Sequence, residues 1–140
     1  MKRILILASH HTMAEGLKDT LDFISGGAAE VRALAAYMDN APVDAEVDAV
    51  MAELDDADEA VVLTDLNSGS VNQQFFRYLA RPHTHVISGM NLPLALVFAL
   101  EPADDYLSAE RVREIVEDAK SEIKYANDLA AQMGGDDDDE

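Results

Sequence analysis

The chain has 140 residues, 49% of them hydrophobic, which suits one globular domain with a sizeable core. It carries 28 acidic against 10 basic side chains, a formal net charge of -18, and such a surface repels nucleic acid and anionic membrane alike. No apolar run approaches the ~18 residues of a membrane span, and zero cysteines exclude disulfides and thiolate metal sites.

Met1-Lys2-Arg3 and the apolar residues after it have the basic-then-apolar order of a signal peptide. The apolar run is short and lacks an Ala-x-Ala site, so it reads as a first strand over 3–8 and the chain as cytoplasmic. Thr12 and Glu15 have the spacing of a capping box. Met13, Leu17, Leu21 and Ile24 recur at helical spacing, which predicts an amphipathic helix over 12–25 stopped by Gly26 and Gly27. A short second strand is expected from Glu30 to Ala36, then a turn at Asn40-Ala41-Pro42. Asp44 is placed to cap a second helix with Val47, Val50, Met51 and Leu54 inward.

Ala60–Leu63 is wholly apolar and gives a third strand over 59–64, buried on both faces. Leu66-Asn67-Ser68-Gly69-Ser70 has turn composition, and a helix over 71–80 follows with Val71, Phe75, Phe76 and Leu79 inward. Arg81-Pro82 ends it, and Thr84 to Ser88 is a fourth strand closed by Gly89. Pro93 opens a buried helix through Leu94–Leu100. Ser108 caps a last helix with Val112, Ile115, Val116 and Ala119 inward, which the pattern alone continues to about 131. Residues 1–131 form the domain, and 132–140, with its run of acids, is expected to be a disordered tail. Strands alternating with helices imply an α/β, doubly wound, mainly parallel sheet with helices on both faces.

In such a sheet chemistry is done at the carboxyl ends of the strands. Strand one ends in His10 and His11, and strand three ends in Thr64 and Asp65. An imidazole beside a carboxylate can act as a nucleophile or a base, because the carboxylate fixes one ring nitrogen and leaves the other free. The plainer role for His10 is a helix cap, and for Asp65 a turn aspartate. Ser68-Gly69-Ser70 precedes a helix with no acid in its first turn, where unpaired backbone N–H groups suit a phosphate. It is not the Gly-x-x-x-x-Gly-Lys phosphate loop. His10 and His11 are adjacent on a turn and ill-placed to share a metal ion, so neither metal nor other cofactor is expected. His83 and His85 lie at the far end of strand four and read as surface residues.

Histidine, orienting carboxylate and anion cradle together are what a phosphohistidine carrier needs. The chain resembles the IIA component of mannose-type sugar phosphotransferase systems over nearly its full length. The matching pieces are Ala8-Ser9-His10, the stretch from Met13 to Leu17, the segment from Thr64 to Asn72 with its Gly69-Ser70-Val71-Asn72, and the run from Val86 to Pro93. The resemblance implies that His10 takes a phosphoryl group from HPr and passes it to a IIB component on a separate chain, which serves a membrane permease (IIC and IID). It implies that Asp65 orients His10 and that Ser68, Gly69 and Ser70 surround the phosphoryl group. It implies a homodimer built by exchange of an antiparallel C-terminal strand, which falls on Glu122–Ala126. Two departures stand out: His11 where the family usually has glycine, and Ser68-Gly69 where it often has two glycines. Three alternatives remain open at this point, one of them a non-catalytic regulatory module whose histidine senses phosphorylation. A related fold serves as the phosphotransfer subunit of a dihydroxyacetone kinase. An aspartyl-phosphate receiver would use Asp65, but it needs acids after strand one that this chain lacks.

Overall fold

The computed structural model describes residues 1–138. Four strands, β1 (Arg3–His10), β2 (Glu30–Ala36), β3 (Glu59–Thr64) and β4 (Thr84–Ser88), form one parallel sheet in the order β2-β1-β3-β4. The helices are α1 (Met13–Ser25), α2 (Val43–Ala52), α3 (Ser70–Phe75), α4 (Leu92–Leu100), α5 (Ala109–Ser121) and α6 (Ala126–Asp138). The alternating strand and helix therefore give the doubly wound α/β fold.

Successive side chains of β1 part to opposite faces. Leu5 and Leu7 join Leu21 of α1, Leu94 and Phe98 of α4 and Ile115 of α5 in one layer. Ile4, Ile6 and Ala8 join Val47 and Met51 of α2 and Val71 and Phe75 of α3 in the other. β1 and β3 are thus closed to water on both sides, which is why their sequences are apolar without alternation.

Several local expectations are corrected. Thr12 makes no side-chain cap; the Ala14 N–H is taken instead by the Ser9 hydroxyl at 2.8 Å. At about 100° per residue the buried stripe of α1 centres on Ala14, Leu17 and Leu21, which leaves Met13 and Ile24 on its exposed flanks. Pro42, not Asp44, stands at the N-cap of α2; the Asp44 carboxylate accepts from the next N–H, that of Ala45. After Phe75 the chain tightens into a 3-10 turn over Phe76–Tyr78, so the 3.6-residue period is lost and Phe76 and Leu79 face solvent.

The largest difference lies beyond Ser121. Glu122–Tyr125 is irregular, and Ala126 opens α6. Neither a helix unbroken to 131 nor a strand over Glu122–Ala126 is formed within the chain. α6 also takes in residues 132–138 of the stretch for which composition predicts disorder; Asp139 and Glu140 lie outside the described residues.

The edge of the sheet at the strands' amino ends is knitted by a buried carboxylate. Glu59 bonds Arg3 Nε at 2.5 Å and the Leu107 N–H at 2.6 Å. Arg3 in turn donates to the carbonyls of Glu101, Pro102 and Asp105, so the loop after α4 is strapped across that end. His85 is not a simple surface residue: its side chain is only 19% exposed and its Nε2 lies 3.8 Å from Glu59. His83 stacks on Tyr106 with ring centroids 3.5 Å apart.

Candidate functional site

At the opposite edge β1 runs two residues past its last pairing with β3, Ala8 with Thr64, and ends on His10, which pairs with Ala36 of β2. That overhang brings the His10 ring over the turn that leaves β3. Asp65 is the first residue of the turn, and its Oδ2 lies 2.8 Å from His10 Nδ1 and 2.7 Å from the His10 backbone N. Its Oδ1 accepts the Leu66 N–H at 2.9 Å. Burial pushes the Asp65 carboxyl up, but these hydrogen bonds and the histidine beside it outweigh burial and hold the group below the usual carboxylate range. It is therefore an anion that only accepts, so Nδ1 is the nitrogen that donates and Nε2 of a neutral ring keeps its lone pair.

Nε2 faces the start of α3. The Ser70 hydroxyl stands 3.4 Å from it. Gly69 is packed so closely that a Cβ there would lie 3.1 Å from His10 Cε1 and 3.3 Å from the Leu66 carbonyl oxygen. A glycine lets the turn wrap the ring edge. Ser68 is exposed at the tip of the turn. The turn is braced from below: buried Thr64 donates to Asn72 Oδ1 at 2.7 Å, and Asn72 Nδ2 donates to the Asn67 carbonyl at 3.0 Å. The His10 side chain is 37% exposed and that of Asp65 only 9%, so the ring has one open side and the carboxylate does not.

His11 does not share the site geometry. It takes a left-handed backbone conformation at φ 57° and is exposed, with its N–H on the Ala36 carbonyl at 2.8 Å. The Ser9 hydroxyl that caps α1 also donates to the His11 carbonyl at 3.1 Å, so one buried serine fixes the corner between strand and helix. Among the described residues no three His, Asp or Glu side chains converge as a metal site.

Sequence reasoning missed Tyr37. It follows β2 directly, also left-handed at φ 66°, which costs a side-chain-bearing residue roughly 1–2 kcal/mol. Its ring stacks on His10 with centroids 5.3 Å apart and planes 19° from parallel. Its hydroxyl lies 2.6 Å from that of Ser70. Only the strand order reveals it: β2 lies beside β1, so the residue after Ala36 arrives beside His10.

A neutral imidazole held on one nitrogen by a carboxylate, with the other nitrogen open beside a hydroxyl, is arranged to attack an electrophile from its exposed side. Comparison with known proteins fits that chemistry. The family model EIIA-man, described as PTS system fructose IIA component, matches residues 4–120. A crystal structure from Klebsiella pneumoniae subsp. pneumoniae MGH 78578, assigned by its description to a phosphoenolpyruvate-dependent sugar phosphotransferase system permease, is 37% identical. It superposes with a TM-score of 0.86 over 93% of this chain and 95% of that one. The mannose/sorbose-specific IIA subunit from Enterococcus faecalis is 25% identical, with a TM-score of 0.74 over 89% of this chain and 95% of its own. The IIA protein associated with the fucose utilization operon of Streptococcus pneumoniae is 25% identical, with a TM-score of 0.70 over 93% and 97%. A search of curated proteins finds no match.

Proposed function

Because the chain belongs to the mannose-type IIA family of sugar phosphotransferase systems, we propose that it is a phosphocarrier whose acceptor is Nε2 of His10. The observation that carries this reading is the division of the ring: Nδ1 rests on Asp65 at 2.8 Å while Nε2 faces the open side beside Ser70.

The donor is the phosphohistidine of HPr. Its N–P bond breaks as the His10 Nε2–P bond forms, and the Nδ1 proton stays between His10 and Asp65. As the ring gains positive character, the buried carboxylate stabilises it. The three phosphoryl oxygens are met by the Ser68-Gly69-Ser70 turn, through the Ser70 hydroxyl and backbone N–H groups. The same steps in reverse pass the group to a histidine of a separate IIB component. That component phosphorylates the sugar brought in by the IIC and IID permease. No described helix is long and apolar enough to cross a membrane, and we place the protein in the cytoplasm, where its two partners exchange on one face. It needs neither metal nor cofactor for this.

We also propose a homodimer. A mainly apolar groove of about 360 Å³ between α4 and α5 is lined by Leu92, Pro93, Leu96, Val97 and Ala119 together with the carboxylates Asp118 and Glu122. Ile123 and Tyr125, which follow Glu122 in the chain, are 78% and 66% exposed. Apolar surface left open on both groove and tail suits a second copy of the chain.

The test of the carrier function is incubation with labelled phosphoenolpyruvate and the general phosphotransferase proteins. Label on the chain that then passes to IIB supports the reading. A chain that stays unlabelled contradicts it.

A further inference from the structure

We infer that Tyr37 is a positioning residue of the phosphoryl site, acting through the Ser70 hydroxyl and the face of the His10 ring. The inference rests on the phosphocarrier function proposed above.

The directions of the hydrogen bonds follow from Asp65. Its carboxylate can only accept, so His10 Nδ1 donates to it, and in the neutral ring that attacks phosphorus Nε2 is an acceptor. The Ser70 hydroxyl, 3.4 Å from Nε2, then points its proton at the ring. The Tyr37 hydroxyl, 2.6 Å from Ser70 Oγ, donates to the serine oxygen. The chain of donors runs Tyr37 to Ser70 to Nε2. Donation from tyrosine does two things. It removes the competing orientation in which Ser70 turns its proton towards the phenol, and it polarises the serine O–H so that it donates more strongly. When Nε2 is occupied by phosphorus, the same proton swings to a phosphoryl oxygen without any change at Tyr37.

The stack acts beside the hydroxyl. At a centroid separation of 5.3 Å the phenol ring covers one face of the imidazole, which restricts rotation about its Cβ–Cγ bond and keeps Nε2 aimed at the Ser70 turn. The left-handed backbone of Tyr37 at φ 66° is what brings the ring back over the sheet edge. An aromatic residue at an unfavourable backbone position is explained by the two contacts it makes there. Its 48% exposure shows that core packing does not hold it in place.

The test compares wild type, Tyr37→Phe, Tyr37→Leu, Ser70→Ala and the Tyr37→Phe/Ser70→Ala double variant. Phosphoryl transfer from phospho-HPr to His10 is timed, and the His10 ring protons are followed by NMR in the free proteins. Tyr37→Phe should keep the ring-current displacement of the His10 protons and slow transfer about threefold to tenfold, the loss of one neutral hydrogen bond. Tyr37→Leu should also lose the ring-current displacement and transfer more slowly still. In the Ser70→Ala background Tyr37→Phe should cost nothing further, because the hydroxyl acts through Ser70. Tyr37→Phe at the wild-type rate, or with the same cost in both backgrounds, would overturn the inference. Wild-type protein that takes no phosphoryl group on His10 would remove the function beneath it, and the inference too.

Discussion

One oxygen of Asp65 holds His10 twice: Oδ2 lies 2.8 Å from the ring Nδ1 and 2.7 Å from the same residue's backbone N. Backbone and side chain are thereby locked to one carboxylate, and the ring tautomer follows. Asp65→Asn replaces an obligate acceptor with a group that also donates, and so admits the wrong tautomer. We expect a folded protein whose phosphoryl transfer is about tenfold to a hundredfold slower, the loss of a charge-assisted bond. Residual activity should remain, because the amide oxygen can still bond Nδ1. Rapid-quench transfer from phospho-HPr, with circular dichroism to check the fold, measures both.

Gly69→Ala tests the close approach of the turn. The new Cβ would meet His10 Cε1 at 3.1 Å and Leu66 Cβ at 3.2 Å, tighter than ordinary contact. The backbone at φ -78° accepts alanine, so the strain comes from the contacts with the His10 ring and Leu66 and not from the new residue's own dihedrals. We expect Tm to change little and transfer to fall severalfold as the ring is pressed off Asp65. An undisturbed rate would mean that the ring edge gives way freely.

Glu59 controls acid stability at the other end of the sheet. Burial pushes its carboxyl up, but His85, Arg3 and the Leu107 N–H more than offset it and hold the group below its ordinary 4.5. A carboxyl lowered on folding contributes stability that is complete above its unfolded value and is lost as pH falls through the folded one. Urea unfolding should therefore weaken below about pH 4.5. Glu59→Gln should cost roughly 3 kcal/mol at pH 7, because it strands the buried Arg3, and should flatten the dependence below that pH.

Most of the fold was legible in the sequence because the sheet is buried on both faces. Ile4–Ala8 and Ala60–Leu63 carry no alternation and are too short for a buried helix, which marks them as central strands, and both ends of the His10–Asp65 pair could be placed at one edge. What escaped depended on contacts between distant residues. The capping of α1 by Ser9 skips the nearer Thr12. Tyr37 is an unremarked aromatic until β2 is known to lie against β1. The burial of His85 depends on Glu59, which shares no local pattern with it. Beyond Ser121 helical periodicity weakens into acidic and small residues, and the break at Glu122–Tyr125 has no proline or glycine to announce it.

The proposed dimer makes the C-terminal segment dispensable for folding but not for assembly. Sedimentation at micromolar concentration should show the full chain at twice its 15.2 kDa mass. A chain ending at Ser121 should sediment as a monomer and still accept phosphoryl groups. A full-length chain that remains monomeric under these conditions would contradict the assembly.

The central claim is tested by locating the phosphoryl group. The protein is labelled from phosphoenolpyruvate through HPr, digested under alkaline conditions that preserve phosphohistidine, and mapped by mass spectrometry. ³¹P–¹⁵N NMR then assigns the nitrogen. We expect the label on Nε2 of His10, its complete loss in His10→Gln, and its retention in His11→Gly. Label on His11, with His10→Gln still accepting it, would contradict the assignment.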